Sequence, residues 1–465
     1  MMKCLVKKYA YLICMAIITA VSLFYNGNCP PSFDEAHAWN MARFLSLKEI
    51  FEIVKTEGHP FLWYYILMPI AKTNFFYPHS LYLLNLAMIL LTVWLLFKYA
   101  PLPLWLKCCI SISAPIIQMY AVLSRSYTLS ILLLFSLLSL YPHRHKKPIL
   151  YLTLIVLLAN TNLIGLFAAF SLGCSYLWES FVFYKKDKEA KPLIITTAFG
   201  FLEIALFLWQ FYDYDRTIPQ HTPISLELIK DINTAFYPLN IPAFILLTLI
   251  SIGLFIRHKC FKAVSFLIIT FSLLIFLFTQ IHSGGLHHYS FFYIFLIGAY
   301  WLAAMERNIN FSPKEYLPIG IIAFLLIFNP YINYKQQNCS YLNMLKTSAD
   351  NINSLYPQNE KEILVLEPFV AEIILPYLNN NITLLNQSMV DHRSLRAFKE
   401  FLYYFFIPID AHQIAEYIKK SPQLPLYYNC GEDEYNNAVL KFNKIHTLSE
   451  IYCLFSITEK TSSDE

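Results

Sequence analysis

The chain reads as an all-α polytopic membrane protein of about eleven transmembrane helices. Interfacial helices fill its first outer loop, and a small α/β extracytoplasmic domain follows at the C-terminal end. Three observations predict this class. Of the 465 residues, 57% are hydrophobic and only 14% charged, and the mean hydropathy is +0.46, values of a membrane-embedded chain and not of a soluble domain. Apolar stretches near the roughly 20 residues needed to cross a bilayer core recur along most of the sequence. Lys and Arg gather in the short segments between them.

The first segment, residues 9–25, has a basic start and an apolar core that also fit a signal peptide. No small-x-small site follows Phe24 and further spans come after it, so it is read as an uncleaved first helix. The remaining candidate spans are 79–98, 106–123, 126–142, 149–164, 167–184, 192–212, 240–256, 261–281, 288–305 and 315–332. The pair 149–164 and 167–184 is the least regular, with Asn160-Thr161-Asn162 near its turn.

With this count every basic cluster falls on the face of the N-terminus: Lys3, Lys7 and Lys8; Lys98 and Lys107; His143 to Lys147; Lys185, Lys186, Lys188 and Lys191; Arg257, Lys259 and Lys262; Arg307 with Lys314. The predicted topology is N-terminus inside, C-terminus outside. The net charge of +4 comes from these loops and reports orientation, not nucleic-acid binding. No internal repeat is visible, so an inverted-repeat transporter is not indicated.

The opposite face then carries the first loop (26–78), the Ser124-Arg125 turn, a loop over 213–239, the turn from His282 to His288 and the tail. Ala36, Trp39, Phe44, Leu45, Ile50, Phe51, Ile53 and Val54 give the first loop an apolar stripe near helical period, predicting two amphipathic helices. Pro60 and Trp63-Tyr64-Tyr65 open an apolar segment that dips into the bilayer without crossing. The tail predicts strands at 361–368 and 382–385 and helices at 367–378 and 410–420. Residues 1–332 are thus the membrane domain, 333–457 the outer α/β domain, and 458–465 a disordered end. Of ten cysteines, Cys29, Cys339, Cys430 and Cys453 lie on the outer face, and no spacing singles out a pair.

Four groups of residues carry candidate chemistry. Asp34-Glu35 follows Ser32 at capping-box spacing, which explains Glu35 as a helix start and Asp34 less well. The chemical alternative makes Asp34 a general base for an acceptor hydroxyl, with Glu35 orienting the substrate or a metal. His59, in Glu57-Gly58-His59-Pro60, is a solvated residue at a helix start, a donor-phosphate contact or a ligand of a divalent ion. Arg125 interrupts an apolar segment, as a snorkelling residue or as a phosphate partner. His282-Ser283-Gly284-Gly285-Leu286-His287-His288-Tyr289 is a tight turn with three imidazoles. Without an adjacent acid it supports a phosphate clamp better than zinc. Asp213, Asp215, Arg216 and His221 belong to a solvated loop. No cofactor is fixed by these residues, and a divalent cation is the one left open.

These groups, in this order, resemble the GT-C superfamily of integral-membrane glycosyltransferases, which includes protein O-mannosyltransferases and the bacterial lipid A aminoarabinose transferases. The match runs through Phe33-Asp34-Glu35-Ala36 with Trp39, Glu57 to Tyr64, Arg125-Ser126-Tyr127 and Gly284-Gly285-Leu286-His287-His288, roughly residues 30–305. Phe61 stands where a second Pro is common and Ser126 where a small or Pro residue is usual. The tail matches no domain of the family. The resemblance implies inverting transfer of a sugar from a polyprenyl-phosphate donor to a lipid, glycan or protein acceptor, at the outer face of a bacterial cytoplasmic membrane. It assigns Asp34 and Glu35 to catalysis and Arg125, His59, His287 and His288 to the donor phosphate. A flippase of lipid-linked saccharides is the alternative, and Glu203, an acid inside a span, is its strongest residue. A polysaccharide polymerase or ligase is a third reading, disfavoured by acids placed in the first loop.

Overall fold

The computed structural model of the chain describes residues 2–57, 59–188, 190–211, 226–281, 284–307, 309, 311–330, 334–356, 363–365, 368–378, 382–384, 426–429 and 440–459. In chain order the helices are α1 (Met2–Asn28), α2 (Phe33–Phe44), α3 (Leu47–Glu57), α4 (Leu62–Ala71), α5 (His79–Tyr99), α6 (Leu104–Ser111), α7 (Ser126–Leu140), α8 (Pro148–Ala159), α9 (Leu163–Asp187), α10 (Lys191–Phe211), α11 (Leu226–Phe236), α12 (Ile241–Arg257), α13 (Phe261–Phe276), α14 (Leu286–Tyr289), α15 (Phe291–Glu306), α16 (Leu317–Leu325), α17 (Tyr334–Leu355) and α18 (Pro368–Ile374). Five strands complete the described part: β1 (Ile363–Val365), β2 (Ile382–Leu384), β3 (Leu426–Asn429), β4 (Leu440–Thr447) and β5 (Tyr452–Glu459).

The chain is predominantly helical and multi-pass in character. Among the described residues, seven helices are long and apolar enough to cross a membrane: Leu5–Asn28, His79–Tyr99, Ser126–His143, Leu163–Asp187, Lys191–Gln210, Phe261–Ile281 and Leu286–Glu306. An eighth counts if Leu228–Phe236 and Ile241–Arg257, bent by 65°, are taken as one broken span. The expected eleven are therefore not what the helix lengths give.

The differences have local causes. Over 106–123, α6 stops at Ser111 and Pro115 opens a separate six-residue π-helical turn, because proline cannot continue the ladder. Over 149–164, α8 has 12 residues, about 18 Å of helix against a core of about 30 Å. Over 315–332, α16 is nine residues between two 3₁₀ turns, and the second turn stops before Asn329, whose extended backbone (ψ 110°) is what a following Pro330 requires.

Two compact units divide the chain. The first comprises residues 1–25, 54–63 and 82–334. Its central helix, Leu286–Glu306, is 94% buried, while Lys191–Gln210 is only 6% buried and turns Phe201, Ile204 and Leu208 outward, the surface a lipid-facing helix presents. At one end of this unit Glu179 of α9 accepts from Arg144 Nε at 2.8 Å and Nη2 at 3.1 Å, pairs with His145 Nε2 at 2.9 Å, and binds Lys262 of α13. Glu306 accepts from the Lys262 and Ala263 amides. The basic loops after α7 and before α13 are thereby tied to the helices they join.

Residues 26–53, 64–81 and 335–465 form the second unit. Its five-stranded sheet has the order β2-β1-β3-β5-β4, parallel from β2 to β3 and antiparallel through β5 and β4. Leu345, Ala349 and Ile352 of α17, Val370, Ala371 and Ile374 of α18, Tyr427 and Leu454 form its core, with Cys29, Phe33 and Phe44 packed against it. The first-loop helix α2 thus shares a core with the tail, whereas the sequence division at 332 separates them.

Strands at 363–365 and 382–384 and a helix at 368–374 appear as expected, and the expected helix over 410–420 lies outside the described residues. The expected disorder from 458 is corrected in part, since Thr458 and Glu459 pair with Lys441 and Leu440. Cys453 is disulfide-bonded, whereas Cys29 and Cys339 are in no disulfide.

Glu179 is the buried anion on which the cations Arg144 and Lys262 converge, with His145 beside them. Glu179→Ala leaves those charges uncompensated and is expected to cost about 3–5 kcal/mol, read as a lower unfolding midpoint in a detergent or nanodisc thermal scan.

Candidate functional site

The end of the first unit away from the basic loops is built from three chain breaks. Asn160-Thr161-Asn162 separates α8 from α9. The Asn160 side chain donates to Val156 O at 2.8 Å and to Glu203 Oε2 of α10 at 3.0 Å, and it accepts from Gln210 Nε2 at 2.8 Å. Gln210 Oε1 receives the Phe61 amide at 3.3 Å, and Asn160 O receives the Leu62 amide at 3.3 Å. The chain immediately after His59-Pro60 is therefore fixed to α8 and α10 through its backbone. Asn162 caps α9 by accepting from Gly165 N at 2.8 Å, and its amide reaches Ser126 Oγ at 3.2 Å and Ser130 Oγ at 2.7 Å on α7. Glu203, taken from sequence as a transport residue, is a member of this hydrogen-bonded hub.

Arg125 is the N-cap of α7, with an extended backbone (φ −130°, ψ 173°). Its guanidinium lies 5.4 Å from the Tyr127 ring centroid. The Tyr127 hydroxyl and His288 Nε2 are hydrogen-bonded at 2.6 Å, the donor being set by the ring's tautomer. The Tyr127 ring is 4.8 Å from that of His287, and the two imidazoles are 3.9 Å apart. Tyr120 donates its hydroxyl to His287 O at 2.8 Å, which fixes the turn from below.

Gly284 has φ +80°, and a Cβ there would meet Phe278 at 2.9 Å and Tyr289 at 3.0 Å, so the turn requires glycine. Arg125, His287 and His288, far apart in sequence, are thus brought together around Tyr127, a residue the sequence reading named only as part of a motif. A guanidinium and two imidazoles over a buried aromatic ring can hold a phosphate by charge-assisted hydrogen bonds. His282 lies outside the described residues, as do Asp213, Asp215, Arg216 and His221.

Asp34 and Glu35 belong to the second unit. Glu35 is fully buried, and its Oε2 accepts from Ser32 N at 2.8 Å and Ser32 Oγ at 2.9 Å, closing the capping box. One oxygen of its carboxylate is thus engaged at the helix start. Ser46 and Glu49 repeat the device at α3, where the Ser46 amide donates to Glu49 Oε2 at 2.8 Å. Asp34, beside Glu35, is only half-buried.

Deeper in the same unit lie residues the sequence reading passed over. His37 Nδ1 is 3.1 Å from Glu372 Oε1, and Asn40 Nδ2 donates to Glu372 Oε2 at 2.5 Å. The Tyr77 and Tyr377 rings pack at 5.2 Å. Burial first, with the negative charge of Glu35 added, pushes both hydroxyls well above the usual tyrosine range; Tyr377 raises Tyr77 further, whereas the hydrogen bond with Tyr77 lowers Tyr377.

No three His, Cys, Asp or Glu side chains converge to hold a metal ion among the described residues. Comparison of the chain with protein-family models and with curated proteins finds no match.

Gly165 sits against the hub, and a Cβ there would meet Leu158 O at 2.6 Å and collide with Thr161 Oγ1. Gly165→Ala is expected to cost about 1–3 kcal/mol by overpacking, measured as a drop in thermal midpoint of the membrane-inserted protein.

Proposed function

We propose that the chain is a membrane glycosyltransferase that moves a sugar from a polyprenyl-phosphate donor to an acceptor hydroxyl, with inversion, at the extracytoplasmic face of a bacterial cytoplasmic membrane. The observation that carries the reading is the convergence of Arg125, Tyr127, His287 and His288 at the end of the helical unit opposite its basic loops. A cationic, aromatic-floored cluster at the end of apolar helices suits an anionic group carried on a lipid. The fixed Phe61-Leu62 backbone supports a role at the same end for His59, two residues earlier.

In the proposed reaction the acceptor oxygen forms a bond to the anomeric carbon while Asp34 takes its proton. The bond from that carbon to the phosphate oxygen breaks, and its electron pair stays on the phosphate. Arg125, with His59, His287 and His288, stabilises the charge that develops there. The leaving phosphate departs as an anion and needs no acid.

The disulfide at Cys453 supports placing the tail outside the cytosol, where such bonds persist. The basic loops supply the opposite, inner face. The flippase reading leans on Glu203, whose carboxylate accepts from Asn160.

Asp34→Asn, in protein that keeps its thermal midpoint, is expected to lower release of polyprenyl phosphate from a labelled donor by about 100-fold or more. Turnover equal to wild type would remove Asp34 as the base. Arg125→Lys keeps the charge but loses the planar fork, and is expected to reduce the same rate by about tenfold.

A further inference from the structure

The tail has no assigned role, yet it supplies one buried carboxylate to the first-loop helix. Glu372 of α18 is 2% exposed, and the residues it binds, His37 and Asn40, are 8% and 0% exposed. Its Oε1 faces His37 Nδ1 at 3.1 Å, its Oε2 accepts from Asn40 Nδ2 at 2.5 Å, and its own carbonyl accepts from the same amide at 3.0 Å. Three bonds thus join one turn of α18 to one face of α2.

A carboxylate out of water is costly, and an apolar residue among Val370, Ala371, Ile373 and Ile374 would pack this helix with less loss. What the carboxylate adds is direction. It draws the His37 proton to Nδ1 and leaves Nε2 as the acceptor nitrogen. Asp34 and His37 are three residues apart on α2 and therefore share a face. Phe33 stacks on the His37 ring at 5.7 Å and limits its rotation.

We propose that Glu372 is a positioning residue of the transferase. Through His37 and Asn40 it fixes the rotation and register of the helix that carries Asp34, which makes the tail a working part of the first-loop site. This inference rests on the glycosyltransferase reading.

Glu372→Gln keeps the shape but reverses the hydrogen bond to the ring. The glutamine oxygen still accepts from Asn40, its amide now donates to His37 Nδ1, and the proton moves to Nε2. In full-length protein in nanodiscs, with a polyprenyl-phosphate sugar as donor, the variant is expected to lose about tenfold in kcat. Its donor KM stays within about twofold, as befits a group felt only in the transition state. Glu372→Ala, lacking the side-chain bond to Asn40 as well, falls further.

Nitrogen-15 NMR of the histidine rings, with His37 assigned by a His37→Asn variant, is expected to show a protonated Nδ1 in wild type and a protonated Nε2 in Glu372→Gln. A wild-type kcat in Glu372→Gln, or a loss matched by an equal loss of folded protein, overturns the inference while leaving the transferase standing. If wild type transfers no sugar, the functional reading fails and takes with it the catalytic purpose of Glu372. The ring spectra then decide only whether the clamp itself exists, and an unchanged tautomer overturns that too.

Discussion

A backbone interrupted among apolar helices must satisfy its own amides and carbonyls, and in the helical unit Asn160-Thr161-Asn162 does so for more than its own segment. One asparagine accepts from Gln210 and donates to Glu203, while its carbonyl receives the Leu62 amide. The other caps α9 and reaches two serines of α7. Arg125 immediately precedes one of those serines, and His59 lies two residues before the Phe61 amide that Gln210 accepts. Arg125 and His59 thus adjoin segments held by a break that polar side chains satisfy in an apolar setting.

The opposite end of the same unit uses the same chemistry for another purpose. Glu179 gathers Arg144, His145 and Lys262 around one buried carboxylate. At the other end Arg125 is placed over an aromatic face beside two imidazoles. In the second unit Glu35 and Glu372 are both buried, hydrogen-bonded carboxylates, and Asp34 is half-buried beside Glu35.

Local signals were readable from sequence and distant ones were not. Ser32 with Glu35, and Ser46 with Glu49, announced two helix starts that the structure contains. Arg125 announced the start of α7, and Gly284-Gly285 a turn. Apolar length overstated the number of crossings where proline cut a run, at Pro115 and Pro330, because hydropathy averages over a residue that the helix ladder cannot accept. Strands β3 to β5 escaped notice because Lys441, Asn443, Lys444 and His446 dilute the alternation that marks a half-buried strand. Tyr127 and Glu372 could not be read as partners at all. Their contacts cross 161 and 335 residues, and only the fold brings such positions together.

The account is tested most directly by giving the purified protein, in a bilayer, a polyprenyl-phosphate sugar labelled in both sugar and phosphate, together with envelope acceptors. It predicts that polyprenyl phosphate and glycosylated acceptor appear in equal amounts, with the anomeric configuration of the donor inverted. Movement of the intact donor from one leaflet to the other, with its sugar–phosphate bond unbroken, would contradict it.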